Sequence, residues 1–264
     1  MEIKFEKWQG LGNDFIILND NIASSDLAIK MCDRNFGIGA DGLFCPTESD
    51  CADIGWKFFN SDGSIAQMCG NGIRCFAKFV KNHNIIDKNS FSIETLAGVK
   101  FVEILDNGNV VVNIGEPVFE ASKIPINNNT PQDFEIFGYN AFAVSMGNPH
   151  CVIYTDEDSK ELALHKGSDI ELNPIFPEKT NVEFVNIISN NRIKMNVWER
   201  GCGITLACGT GACASVVAGV KKGLINSVCD VVLPGGVLNI DYKEDNCVYM
   251  QGSAKHVFSG IYYS

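Results

Sequence analysis

The sequence predicts an α+β protein built from two similar domains. Three observations carry that reading. Short apolar stretches bounded by Gly, Asn and Asp turns outnumber helical patterns throughout the 264 residues. The motif Cys-Gly-x-Gly occurs twice, at Cys69–Gly72 and Cys208–Gly211, each time opening a run that reads as a short buried helix. The surroundings of the motif recur as well. Leu11-Gly12-Asn13-Asp14 resembles Met146-Gly147-Asn148-Pro149, and Phe59-Asn60 stands ahead of Cys69 as Trp198-Glu199 stands ahead of Cys208. Two domains related by a pseudo-two-fold axis, with the two thiols facing across a cleft, are the simplest geometry for such a repeat.

In chain order, Ile3–Trp8 alternates as a strand, and a glycine turn at 10–14 leads into Phe15–Leu18. Ser24-Ser25-Asp26 caps a helix expected to reach Asn35 and stop at Gly37. Leu43–Cys45 and Ala52–Asn60 are strands, followed by the Ser61-Asp62-Gly63 turn and the first thiol helix. Three strands fill Phe91–Ile114, broken at Gly98 and at 106–109. The polar stretch 116–131, with two prolines and an Asn run, reads as the domain linker. Beyond it come strands at Asn140–Ser145 and Cys151–Tyr154, separated by the turn 146–150, and a helix at Ser159–Lys166. Strands at Val182–Ile188 and Arg192–Trp198 deliver the second thiol helix, and further strands end in the apolar alternation Val257, Phe258, Ile261. The domains expected are 1–116 with a C-terminal strand at about 254–264, and 117–253.

Net charge of −11 and mean hydropathy near zero describe a soluble acidic protein and argue against a nucleic-acid or anionic-membrane surface. The N-terminus lacks a continuous apolar core, so no secretory signal is read, and no stretch reaches the length of a membrane span. Eleven cysteines in that setting imply reduced thiols in a cytoplasm. The Cys69/Cys75 and Cys202/Cys208 spacings are wider than those of zinc ligands, and no metal site is expected.

Glycines ahead of a helix let backbone N–H groups approach a ligand, and the helix N-terminus is partly positive. A thiol placed there is expected to ionise more readily. Such a pair, one acid and one base, suits inversion of a stereocentre. One thiolate removes an α-hydrogen and the opposite thiol returns one, while the N–H groups of Gly70, Asn71, Gly209 and Thr210 stabilise the developing enediolate. Other readings stand beside this one. The cysteines are also ordinary small core residues, or a pair forming a reversible redox-sensing disulfide. Asn13 and Asn148 suit glycine turns, Glu199-Arg200 a surface pair, and His150 a turn.

The motifs Gly-Leu-Gly-Asn-Asp-Phe (10–15), Phe-Asn-Ser-Asp-Gly-Ser (59–64), Cys-Gly-Asn-Gly-x-Arg-Cys (69–75), Met-Gly-Asn-Pro-His (146–150), Asn-Val-x-Phe (181–184), Glu-Arg-Gly (199–201) and Ala-Cys-Gly-Thr-Gly-Ala-Cys (207–213) together resemble the diaminopimelate epimerase family. The resemblance implies two α+β domains, each a mixed or antiparallel sheet wrapped around a central helix, with the C-terminal strand returning to the first domain. It implies cofactor-independent interconversion of LL- and meso-diaminopimelate, in lysine and peptidoglycan-precursor biosynthesis. Cys69 and Cys208 would be the acid/base pair, assisted by His150 and Glu199. Asn13, Asn60, Asn148, Asn181, Glu199 and Arg200 would line the substrate site, and Gly70, Asn71, Gly209 and Thr210 would hold a carboxylate. Ile204 stands where the family has a second glutamate, and the tail reads Gln251-Gly252-Ser253-Ala254. Phe258 occupies a tail position linked to dimerisation, which implies a homodimer. A related two-thiol racemase of another amino acid, such as histidine, would share the catalytic residues and differ in the distal pocket.

Overall fold

A computed structural model describes residues 2–264. The chain divides into two compact units, one formed by the chain up to Asn113 with Gln251–Ser264, the other by Ile114–Met250.

In the first unit, β1 (Glu2–Gly10) and β2 (Asn13–Leu18) form an antiparallel hairpin. Its turn residues Leu11 and Gly12 both have positive φ, at 57° and 86°, the geometry that matches strand twist. The chain continues through α1 (Ser25–Cys32), β3 (Gly42–Thr47), β4 (Ile54–Asn60), α2 (Gly70–Asn82), β5 (Ser90–Thr95), β6 (Gly98–Ile104) and β7 (Val110–Gly115). β2 runs parallel to β3, β3 antiparallel to β4, β4 parallel to β5, and β5 antiparallel to β6. α2 is buried on every side, including Ile73, Cys75, Phe76, Phe79 and Val80, and touches β1, β2 and β6. The helix is enclosed along most of its length, the polar Asn71 and Arg74 included, with the sheet packed about it.

Ser24 caps α1, its Oγ accepting from Leu27 N. The helix ends at Cys32, short of the expected Asn35. The Asp33 carboxyl accepts from the backbone N–H groups of Asn35 and Phe36, an Asx turn that competes with the helical ladder.

The second unit holds β8 (Phe134–Ile136), β9 (Tyr139–Ser145), β10 (Pro149–Tyr154), α3 (Ser159–Glu171), β11 (Asn181–Ser189), β12 (Arg192–Glu199), β13 (Gly203–Ile204), α4 (Gly209–Lys221), β14 (Val228–Leu233), β15 (Gly236–Tyr242) and the first three residues of β16 (Val248–Gly252). β10 runs parallel to β11, β11 antiparallel to β12, β12 parallel to β14, and β14 antiparallel to β15. α4 is enclosed by β9, β10, β11, β12, β14 and β15. Each fully buried valine or leucine on such a helix contributes roughly 1.5–3 kcal/mol.

Two expectations for this half are corrected. α3 runs past Lys166 to Glu171, because Gly167 packs directly on β12: a Cβ there would stand 2.4 Å from Trp198 Cβ. The stretch 116–131 is not a free linker. Val118 bridges to Ser145, and Ile124 and Ile126 lie in the core with Phe134, Ala141 and Phe176.

The last strand, β17 (Lys255–Tyr263), belongs to the first unit and pairs antiparallel with β1. With it, the two units show one topology. The orientations along β17-β1-β2-β3-β4-β5-β6 repeat along β8-β9-β10-β11-β12-β14-β15: two antiparallel pairs, then parallel, antiparallel, parallel and antiparallel. α1 and α3 each follow the third strand of their series, and α2 and α4 each connect its fifth and sixth. Among the described residues no helix is long and apolar enough to cross a membrane.

Candidate active site

Both motif cysteines are the N-caps of the enclosed helices. Cys69 has extended backbone at φ −140° and ψ 119°, and its Sγ accepts from Gly72 N at 3.4 Å. Cys208 has φ −111° and ψ 109°, and its Sγ accepts from Gly211 N at 3.3 Å. Sulfur here takes the place of a Ser or Asp cap oxygen. The motif spacing follows from this bond, since the capping N–H lies three residues on. Space at that third position also favours glycine: a Cβ at Gly72 would stand 3.0 Å from the Phe44 ring, and one at Gly211 only 2.6 Å from Glu183 Oε1. The first intrahelical bonds are Ile73 N to Cys69 O and Ala212 N to Cys208 O. The N–H groups of Gly70, Asn71, Gly209 and Thr210 therefore lie ahead of the ladder, at the anion-binding end of each helix.

Around Cys69 the structure gathers two of the expected residues. The thiol donates to Asn13 Oδ1 at 3.5 Å, and Asn71 Nδ2 donates to the same oxygen at 3.3 Å. Asn13 Nδ2 donates to Asp41 Oδ2, which also accepts from Asp14 N. A carboxylate only accepts, so Asp41 fixes which end of the Asn13 amide faces the thiol. Asp41 and Asp14 are tied together by Arg34, and Lys7 pairs with Asp14. Burial works against the charge of Asp14, but the Arg34 and Lys7 bonds outweigh it and hold its carboxyl below the usual range. Asn71 is oriented in turn by the buried Arg74, whose Nη2 donates to Asn71 Oδ1 while Nη1 donates to Gly70 O. Asn60 ends β4 and donates from Nδ2 to Ser64 Oγ at 2.9 Å, holding its own turn.

Around Cys208 the groups are more enclosed and more acidic. His150 is buried between Glu183 Oε1, 2.7 Å from Nδ1, and Asn148 Oδ1, 3.0 Å from Nε2. Glu199 accepts from Thr205 Oγ1. Thr210 Oγ1 lies 3.6 Å from Cys208 Sγ. Burial pushes the Glu199 carboxyl up. The expectation of an acidified thiol fails at Cys208. Burial, then the charges of Glu199 and Glu183, push it well above the ordinary range and outweigh the Thr210 and Gly211 bonds.

Asn181 and Arg200 form a separate pair. Asn181 donates from Nδ2 to Pro149 O and accepts at Oδ1 from Arg200 N, while the exposed Arg200 guanidinium reaches Glu178 O. Asn181 thus holds the strand ends that carry His150 and Arg200. Buried Glu171 adds to this, accepting from Gly201 N and Trp198 Nε1. Glu171, Asp41 and Glu183 were all missed from the sequence. Only Glu183 left a signal there, as one charge within the apolar run Val182-Glu183-Phe184-Val185.

The duplicated fold is found in other solved proteins. A phenazine biosynthesis protein of the PhzF family from Bacillus anthracis superposes with a TM-score of 0.70 at 12% identity, covering all of both chains. A hydroxyproline epimerase from Agrobacterium vitis superposes with 0.67 at 10% identity, over 98% of this chain and 92% of that one. At such identities the likeness is one of fold. The chain belongs to the diaminopimelate epimerase family, whose family model matches residues 5–120 and 142–257. It is 46% identical to the diaminopimelate epimerase of Halothermothrix orenii over 98% of each chain. It is 47% identical to that of Methanococcus maripaludis, over 98% of this chain and 99% of the other.

Proposed function

We propose that the chain epimerises LL-2,6-diaminopimelate to the meso form by moving one hydrogen at an α-carbon between Cys69 and Cys208, with each compact unit serving as one domain of the enzyme. The observation that carries this reading is the repetition of one device: a thiol capping an enclosed helix in each of two units of identical topology. Full-length relatives named for the reaction support the substrate.

The form with Cys208 protonated accepts the isomer whose α-hydrogen is presented to Cys69. The Cys69 thiolate takes that hydrogen as a proton, and the C–H electron pair moves into the carboxylate to give an enediolate. The Cys208 S–H protonates the carbon from the other side and is left as thiolate, so charge and protons balance. The reverse direction exchanges the roles. The N–H groups of Gly70, Asn71, Gly209 and Thr210, at the positive ends of α2 and α4, stabilise the enediolate. Asn13 and His150 orient the thiols' surroundings, and Glu199, held by Thr205, assists at the Cys208 side. Arg200 suits a second carboxylate, which it can grip bidentately, and Glu199 suits an ammonium. Asn60, Asn148 and Asn181 complete the lining.

A homodimer is part of the proposal: β17 exposes Val257, Phe258 and Ile261 along a strand that pairs with β1. Phe258→Lys should yield a monomer in sedimentation. A reducing cytoplasm suits eleven free thiols. The test of the reaction is conversion of LL-diaminopimelate to the meso form under reducing conditions, beside L-histidine. Conversion of diaminopimelate alone, lost in Cys69→Ala and Cys208→Ala, is expected. Turnover of histidine alone would overturn the substrate.

A further inference from the structure

β11 is buried from Asn181 to Val185, and in the middle of that run stands a carboxyl group that is 0% exposed. A carboxyl in such a place is costly unless each oxygen is used. Oε1 of Glu183 meets His150 Nδ1 at 2.7 Å. Oε2 has no hydrogen-bond partner among the described residues. The helix start has been shaped to admit this side chain. A Cβ at Gly211 would stand 2.6 Å from Glu183 Oε1 and 3.2 Å from Cys208 Sγ, so carboxyl and thiol flank the same narrow gap. The titratable groups around that gap are His150 and Cys151 on β10, Glu183 on β11 and Glu199 on β12. Glu199 is held by Thr205 and Cys208 by Gly211 N, and the reaction as proposed assigns Glu183 no part.

We propose that Glu183 is a positioning residue for the second thiol: it fixes the His150 ring against Asn148, and its buried carboxylate, flanking the same gap as Cys208 Sγ, keeps the hydrogen on Cys208 until substrate is bound. This rests on the two-thiol reading. The consequence is a Cys208 that is a firm acid-form thiol at rest and, once it has given up its proton, a strong base for the return reaction. A thiolate beside two buried carboxylates is poorly tolerated, which drives it to recover a proton from carbon or solvent. The burial and Glu183 contributions to the Cys208 thiol act in this direction.

The experiment is a thiolate titration by absorbance at 240 nm on the substrate-free full chain. The Cys208 step is identified as the one lost in Cys208→Ser. Glu183→Gln keeps an acceptor for His150 and removes the charge. Its Cys208 step should move to lower pH by about one unit, tenfold more thiolate at a given pH. Glu183→Asp keeps the charge but withdraws it by one methylene, so its step should move less in the same direction; it also serves if the Gln variant does not fold. In turnover, Glu183→Gln should lower kcat while leaving KM nearly unchanged. A Cys208 step at the wild-type position in whichever variant folds would overturn the inference. Because the titration needs no substrate, it is separable from the function. An unmoved step in a protein that epimerises diaminopimelate refutes the role of Glu183 alone. A moved step in a protein inert toward diaminopimelate refutes the substrate alone.

Discussion

Gly211→Ala is the substitution whose sign the structure decides. Gly211 is the third residue of α4, with nothing unusual in its φ, and in an unconstrained helix alanine would be better by about 1 kcal/mol. Here the added Cβ would stand 2.6 Å from Glu183 Oε1 and 3.2 Å from both Glu183 Cγ and Cys208 Sγ. Glu183 is fully buried and held by His150, so it has no open space to swing into. Overpacking of this kind costs about 1–3 kcal/mol. Loosening the charged His150–Glu183 bond costs about 1.5–3 kcal/mol more. The net expectation is a loss of roughly 1.5–5 kcal/mol, opposite to the helix preference. The assay is urea unfolding, read as a lower midpoint at unchanged slope. Repeating Gly211→Ala in a Glu183→Ala background should recover the helix preference, giving a coupling of at least ~1 kcal/mol. An unchanged or raised midpoint for Gly211→Ala in the wild-type background would refute the packing of Glu183 against the second thiol.

Asp41→Ala removes the acceptor that orients the Asn13 amide. It should lower kcat/KM for epimerisation about tenfold, the worth of one charged hydrogen bond at roughly 1.5 kcal/mol, whereas an unchanged value would free Asn13 from Asp41. Stability should depend on pH on the alkaline side. Burial pushes the thiols of Cys32 and Cys75 up to about 12 and that of Cys229 to about 11, from an ordinary 9.0, and Cys45, Cys151 and Cys208 move the same way. Groups whose folded pKa is raised stabilise fully below the unfolded value, so that contribution is intact below about pH 9 and is lost as pH rises towards 11–12. The Tm should therefore fall steadily above pH 9, less steeply in Cys75→Ala; a flat Tm from pH 8 to 11 would contradict the burial of these thiols.

Much of this site could be read in the chain because its chemistry is local. The cap bond from Cys69 or Cys208 spans three residues, so Cys-Gly-x-Gly announces it, and the repeat of Asn13 and Asn148 beside strand starts announces the duplication. What escaped is carried by distant partners. Asp41 meets Asn13 across twenty-eight positions, and Glu183 meets His150 across thirty-three. Only the parallel pairings of β2 with β3 and β10 with β11 bring those carboxyls in. Glu171 was hidden because α3 was expected to stop at Lys166, and the packing of Gly167 on Trp198 that prolongs it leaves no trace in sequence periodicity. The ionisation of Cys208 was misjudged for a related reason. A helix N-terminus is visible in the sequence, whereas the burial and the two carboxylates that outweigh it depend on the assembled sheet.

The central claim is that one thiol takes the hydrogen and another returns it. In D2O the thiol that returns the hydrogen carries deuterium, so this claim fixes where label enters. At early conversion of LL-diaminopimelate, the meso product should hold one deuterium at the inverted carbon while the remaining substrate stays unlabelled. Deuterium appearing equally in recovered substrate and product, or product retaining the original hydrogen, would show a single base working on both faces and contradict the account.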